Sequence, residues 1–94
     1  MSNVIVSSSG NVFIDMGYPS EEAAILQMRA DLMAGLRKFI KAKKLTQAKA
    51  AEILGVSQSR VSDLTRGKWE KFSLEMLITL ATRAGMQVTL KTAA

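Results

Sequence analysis

Residues 46–67 have the sequence TQAKAAEILGVSQSRVSDLTRG, in which two short runs with helical spacing flank a single glycine. Thr46 and Ser57 each precede one of these runs, and both residue types are good N-caps because their side-chain oxygen accepts a free backbone N–H. The pattern therefore predicts one helix over 47–54 and a second over 58–65.

The residues at the junction favour a tight turn between these helices. Gly55 ends the first helix, because glycine adopts the left-handed conformation without steric cost. Ala51 is small enough for the two helices to touch, while Val56, Val61 and Leu64 can hold the second helix against a core. Two helices that cross steeply through a three-residue turn form a helix-turn-helix motif.

The outward side of the second helix is rich in short side chains that form hydrogen bonds. It carries Ser57, Gln58, Ser59, Arg60, Ser62 and Asp63. An ordinary solvent-exposed face would more often carry glutamate and lysine in i,i+4 pairs. Short polar side chains are what a recognition helix needs against base edges in the major groove, so this face predicts duplex DNA as the ligand.

The remaining chain predicts two more helices and two short strands. Ser20 is expected to cap a long helix over 21–43, and Ser73 is expected to cap a helix over 74–84. The predicted core residues of the second of these helices are Leu74, Leu77, Ile78, Leu80 and Ala81. Residues 3–6 and 86–91 have strand-like patterns. The fold class we predict is all-α: a helix-turn-helix bundle of four or five helices with short N- and C-terminal strands.

The chain is expected to divide into an N-terminal arm (1–19), a DNA-binding domain (20–85, motif 47–66) and a C-terminal strand with its tail (86–94). The arm should be irregular, with apolar side chains that the bundle does not require. The C-terminal strand has two alternatives, pairing with residues 3–6 or with its symmetry mate. A core this small favours a homodimer built from the C-terminal part.

Charge is distributed unevenly along the chain, whose net charge is +5. Residues 1–36 carry one base and four acids, whereas residues 37–71 carry ten bases and three acids. A basic middle is typical of a protein that binds the phosphate backbone, although a solvated basic face would have the same composition. The lysines of residues 38–44 are expected to be mainly solvated charges.

The composition excludes much enzyme chemistry. The chain has neither cysteine nor histidine, and it lacks a clustered carboxylate pair. Thiolate zinc sites, imidazole ligands and the commonest general base are therefore missing, so we expect no catalytic residues, no metal and no cofactor. It also has no apolar run of membrane-spanning length, and we expect a soluble, cytoplasmic protein that does not bind membranes.

Residues 46–67 resemble the helix-turn-helix of the lambda-repressor-like, Cro/C1 (XRE) regulators. The stretch Ser8-Ser9-Gly10-Asn11-Val12-Phe13, the long helix that starts with acids and the Phe72-Ser73-Leu74-Glu75 helix start are similar to the HigA-type antitoxin branch. The resemblance covers roughly residues 8–90. It implies a transcriptional repressor that binds duplex DNA as a homodimer at an operator with two half-sites.

The resemblance also implies roles for individual positions. It places base readout on Gln58, Ser59, Ser62 and Asp63 and a backbone contact on Gln47. Apart from the resemblance, we expect further contacts with the DNA backbone from Ser57, Arg60, Arg66 and Lys68, although the three basic side chains could also be solvated charges. In such regulators the glutamine at Gln47 contacts a phosphate and braces the glutamine at Gln58. Asp63 departs from the preference of a DNA face: its carboxylate can accept from a cytosine amino group, or pair with Arg60 or Arg66.

The biological role has alternatives. The HigA-type resemblance implies the antitoxin of a type II toxin-antitoxin module that represses its own operon and binds a RelE-like toxin through residues 3–18. The alternative is a stand-alone or prophage XRE-type repressor without a toxin. An enzyme is disfavoured by the missing acid–base groups, and an RNA-binding module by an aromatic content of 5%.

Overall fold

The computed structural model describes residues 3–7 and 12–92. Five α-helices, a 3₁₀ turn and two short strands make up this part of the chain, which confirms the predicted all-α helix-turn-helix bundle. In chain order the elements are β1 (Asn3–Ser7), α1 (Val12–Asp15), α2 (Ser20–Ala42), α3 (Gln47–Leu54), α4 (Gln58–Thr65), the 3₁₀ turn (Trp69–Lys71), α5 (Leu74–Arg83) and β2 (Gln87–Lys91).

Three helices begin in the same way, as their sequences predict. Thr46, Ser57 and Ser73 have extended backbones, and each side-chain oxygen accepts the backbone N–H three residues later, at 3.1, 3.2 and 3.1 Å. An N-cap of this kind contributes about 1 kcal/mol to helix stability. The starts of α3, α4 and α5 are therefore set by local chemistry.

The start of α2 differs from the prediction by one residue. Pro19 occupies the N-cap position, and Ser20 is the first helical residue instead of the cap. The fixed φ of proline, here −57°, suits this junction, and its carbonyl accepts the N–H of Ala23 at 2.8 Å. Glu21 and Glu22 still lie in the first turn, where the helix dipole favours acids.

The main core lies where α2, α3, α4 and α5 meet. Its fully buried large side chains are Leu32, Leu36, Leu54, Val61, Leu64, Phe72, Leu77 and Leu80. Ile78 was expected in this core, but its side chain is 38% exposed. Leu77, Leu80 and Ala81 already occupy the inner face of α5, and Ile78 lies about 100° away from Leu77 around the helix.

The N-terminal segment is more ordered than its sequence indicates. Residues 12–15 form the one-turn helix α1, so the prediction of an irregular arm was wrong there. Phe13 is buried with Ala23 and Leu26, and its ring meets the rings of Tyr18 and Trp69 edge to face, each at 5.9 Å between centroids. One apolar side chain of the arm therefore has a place in the fold.

The two strands pair with each other in parallel. The register runs from Asn3 opposite Gln87 to Ser7 opposite Lys91. Of the two pairings left open for the C-terminal strand, the one with the N-terminal segment is confirmed. β1 and β2 thus fasten the two ends of the described chain together beside α2 and α5.

Candidate nucleic-acid interface

The turn between α3 and α4 is stabilised by a left-handed glycine. Gly55 has φ 69° and ψ 36°, and its N–H donates to the Ala51 carbonyl at 2.8 Å. The N–H of Val56 donates to the same carbonyl at 3.1 Å, which closes the end of α3. Ser57 follows at once as the N-cap of α4, so three residues redirect the chain between the helices.

Arg83 supports this turn from outside the motif, and sequence reasoning did not identify it. Its Nη1 donates to the Leu54 carbonyl at 2.9 Å, at the C-terminal end of α3. Its guanidinium also lies against Gly55, where an added Cβ would be 3.1 Å from Nη1. This hydrogen bond joins residues 29 positions apart in the sequence, so no local pattern predicts it.

The N-terminal ends of α3 and α4 present exposed side chains to solvent. Gln47 and Gln58 are the first residues of the two helices, and both are exposed, as is Ser59. Among the described residues, no hydrogen bond joins Gln47 to Gln58, so the bracing that the resemblance implies is not present in this structure. Both amides are open to a ligand at helix ends that carry partial positive charge.

Ser57 and Arg66 cap the two ends of α4, and Ser62 lies within the helix. The Ser57 side-chain oxygen accepts the Arg60 N–H, which leaves its hydroxyl hydrogen available to a phosphate oxygen. The carbonyl of Ser62, a half-buried residue, accepts the Thr65 hydroxyl at 3.1 Å and the Arg66 N–H at 3.0 Å. Arg66 is exposed at the C-cap.

Asp63 has different ion-pair partners from those expected. Its Oδ1 lies 3.9 Å from the Lys68 Nζ and 3.8 Å from the Lys71 Nζ, and it is paired with neither Arg60 nor Arg66. The Asp63 side chain is 19% exposed. These contacts offset much of its negative charge and join α4 to the 3₁₀ turn.

Arg60 also has partners within the chain. Its guanidinium lies over the Phe72 ring, 4.3 Å from the centroid, and its Nη1 donates to the Lys71 carbonyl at 3.1 Å. The residue is half-buried. A phosphate would therefore have to compete with a cation–π contact and a hydrogen bond for this side chain.

The surrounding electrostatics remain strongly positive. Of the ten bases in residues 37–71, three form ion pairs: Lys49 with Glu52 at 3.7 Å, and Lys68 and Lys71 with Asp63. The other seven have no carboxylate at ion-pair distance within the described residues. Unneutralised cations in this part of the chain supply the positive field that attracts a polyanion.

The comparison with protein families agrees with this geometry. Residues 12–93 match a family model described as a helix-turn-helix domain. The chain belongs to this family. The helix-turn-helix family assigns the chain to DNA-binding regulators, a class that is typically non-enzymatic. No curated protein gives a significant match to the chain. Within the described residues, no helix combines the length and apolarity required to cross a membrane.

Proposed function

We propose that this helix-turn-helix protein is a repressor of the lambda-repressor-like, Cro/C1 (XRE) type, which binds a specific duplex operator as a homodimer in the cytoplasm. The observation that carries the proposal is the pair of capped helix ends, where the exposed side chains of Gln47, Gln58 and Ser59 have no partners among the described residues.

In the proposed mechanism, different residues provide the affinity for DNA and the specificity for its sequence. Arg66, the helix ends and the neighbouring lysines contact phosphates, and this contribution weakens as salt rises because counterions are released. Gln58 and Ser59 read base edges, while the neighbouring Ser62 lies half-buried on the same helix. Two copies related by a two-fold axis would match two half-sites about one helical turn apart.

A competition assay tests this proposal directly. Labelled duplex from the protein's own promoter is bound first, and unlabelled promoter duplex, scrambled duplex or RNA of the same sequence is then added. We expect promoter duplex to compete at a concentration at least about 1,000-fold lower than scrambled duplex, with RNA no better than scrambled duplex. Equal competition by RNA would instead support an RNA-binding module.

We propose further that the repressor is a HigA-type antitoxin that represses its own operon. The specific support is the N-terminal surface, where Val12, Ile14 and Met16 are 54%, 51% and 65% exposed. Asp15 and Glu22 are also exposed in this acidic part of the chain. A RelE-like toxin is expected to be basic, and acidic residues around apolar side chains complement such a partner.

Co-expression with the product of the neighbouring gene tests the antitoxin role. Deleting residues 1–18 would also remove the buried Phe13, so point variants are the sharper tool. Ile14→Asp should abolish rescue and co-purification, while Ile78→Asp, at an exposed residue on α5, should retain both. If no neighbouring product binds the wild-type chain, the stand-alone or prophage repressor replaces this proposal.

A further inference from the structure

An open groove of about 660 Å³ lies along the C-terminal half of α2. Ala34 and Ile40 contribute apolar surface, and four cations surround it: Arg37, Lys38, Lys41 and Lys44. Within the described residues, none of these cations has a carboxylate at ion-pair distance. A groove with this chemistry fits a segment that carries apolar side chains together with carboxylates.

The chain itself carries such a segment in α1. Val12, Ile14 and Met16 all have more than half of their surface exposed, and Asp15 is exposed between them. Phe13 holds α1 in place from the opposite side, so these residues are presented on an anchored helix. The charge and polarity of α1 are therefore complementary to those of the groove.

Both surfaces lie along the same face of α2. α1 packs through Phe13 beside Ala23 and Leu26, with Ala30 against the same cluster. At 100° per residue, positions 23, 30, 34, 37 and 41 follow one stripe of the helix. α1 covers the first half of that stripe and the groove occupies the second half. The protruding α1 and the groove therefore lie one after the other along the same face of α2.

The α1 of one copy does not reach the Lys41 end of the groove in the same copy. It is anchored at residues 23–26, and Lys41 lies 15 to 18 residues further along α2, which corresponds to about 22–27 Å. When two α2 helices pack antiparallel about a two-fold axis, each α1 faces the groove of the other copy. Such a surface is self-complementary and closes at two copies.

We propose that the groove binds α1 of a second copy of this chain, in an antiparallel dimer with two identical contacts. The proposal specifies the interface of the homodimer in the proposed repressor, and it places that interface away from the C-terminal part. Asp15 faces the cations of the partner groove, and Ile14 and Met16 cover its apolar floor. A toxin on α1 would displace the second copy, so the test uses the chain alone.

Disulfide trapping tests the arrangement, because the natural chain has no cysteine. Met16→Cys protein is mixed with Lys41→Cys protein under mild oxidation, and a cross-linked heterodimer is expected. Disulfides require Cα atoms within about 7 Å. The proposed interface is expected to bring positions 16 and 41 of different copies that close, whereas within one chain α1 is anchored 15 to 18 residues before Lys41 along α2. Met16→Cys mixed with Ile78→Cys is the matched control and should stay at background. Background yield for both mixtures overturns the proposal.

Exchanging the charges at positions 15 and 41 gives a second test, in which sedimentation equilibrium measures dimer formation. Asp15→Lys and Lys41→Glu should each lower the dimer association constant by about fivefold or more, and the combined variant should restore it. Lys91→Glu, on β2, serves as the control and should have no effect. A wild-type chain that stays monomeric overturns the proposal. Failure of the combined variant to restore the dimer also overturns it. So does a dimer that is lost in Leu90→Asp but unchanged in the groove variants.

Operator binding measured on the same proteins separates the two proposals. If trapping and charge exchange fail while the wild type still selects its operator, the α1–groove interface is wrong and the repressor proposal stands. If the dimer behaves as expected and the wild type does not distinguish promoter duplex from scrambled duplex, the repressor proposal fails and the interface stands.

Discussion

The helices α1 and α4 both present exposed side chains, but of opposite chemistry. On α1 the exposed residues include the apolar Val12 and Ile14, in the acidic third of the chain. On α4 they are Gln58 and Ser59, in the basic middle. Exposed apolar surface favours contact with protein, whereas exposed polar side chains in a basic part of the chain favour nucleic acid. The proposed protein and DNA partners thus use two different surfaces.

The two helices are also anchored differently. Phe13 is the buried residue of α1, and it belongs to a small cluster with Ala23 and Leu26. By contrast, α4 buries Val61 and Leu64 in the main core and is joined to the 3₁₀ turn through Asp63. We therefore expect α1 to be released without disturbing the DNA-binding helices.

Phe13→Ala should have the largest energetic effect, and that effect should fall on stability. Loss of the buried ring is expected to lower the free energy of unfolding by about 3 kcal/mol, because a cavity forms against Trp69 and Leu26. Urea denaturation measures this, with Ile14→Ala as the exposed control, expected within about 0.5 kcal/mol. Affinity of the folded protein for a single half-site should stay unchanged because α3 and α4 are intact, and a loss of half-site affinity would contradict the separation of the two surfaces.

Gln58→Ala should act on recognition instead of on folding. We expect it to weaken operator binding by about 1–3 kcal/mol and to leave binding to scrambled duplex unchanged, because a base contact is removed. Fluorescence anisotropy on both duplexes measures the difference. Gln87→Ala, at an exposed glutamine on β2, is the matched control. Full retention of affinity and preference in Gln58→Ala would show that α4 is not the recognition helix.

Arg83→Met should destabilise the motif without touching either exposed surface. The Leu54 carbonyl would lose a charged donor at 2.9 Å, so the free energy of unfolding should fall by about 1–2 kcal/mol. Chemical denaturation of this variant beside Lys91→Met, an exposed site on β2, gives the comparison. Equal stability of the two variants would mean that the hydrogen bond contributes nothing.

Arg66→Ala and Lys68→Ala should have the smallest effects, and they should differ from each other. Arg66 is exposed and has no ion-pair partner among the described residues, so its removal should lower the slope of log affinity against log salt by about one. Lys68 already pairs with Asp63 at 3.9 Å, so its removal should change the slope by less. A larger change for Lys68 than for Arg66 would contradict this ranking.

Sequence reasoning succeeds wherever the determinant is local. Each N-cap accepts a backbone N–H only three residues away, as Thr46, Ser57 and Ser73 do. Gly55 ends α3 because it adopts a positive φ. Both ends of α3 and the start of α4 follow from these residues alone. Ser20 fails as a cap because the adjacent Pro19 takes that position with its fixed φ.

The missed features depend on residues that are distant along the chain. A helix of four residues such as α1 has too few positions for a periodic signal, and its place depends on Phe13 meeting Trp69. Arg83 reaches the Leu54 carbonyl across 29 residues, and Arg60 is occupied by Phe72 and the Lys71 carbonyl. Such contacts exist after the helices have packed, and no local pattern specifies them.

Sequencing the DNA that the purified wild-type protein selects from its own genome tests the central claim most directly. The account predicts enrichment of a few sites, each an inverted repeat whose half-sites are centred about 10 base pairs apart, with the protein's own promoter among them. The same selection with Gln58→Ala should enrich these sites less strongly, by a factor of about 5 to 150, which corresponds to the loss of about 1–3 kcal/mol. Random recovery by the wild-type protein would contradict the claim that α4 reads sequence.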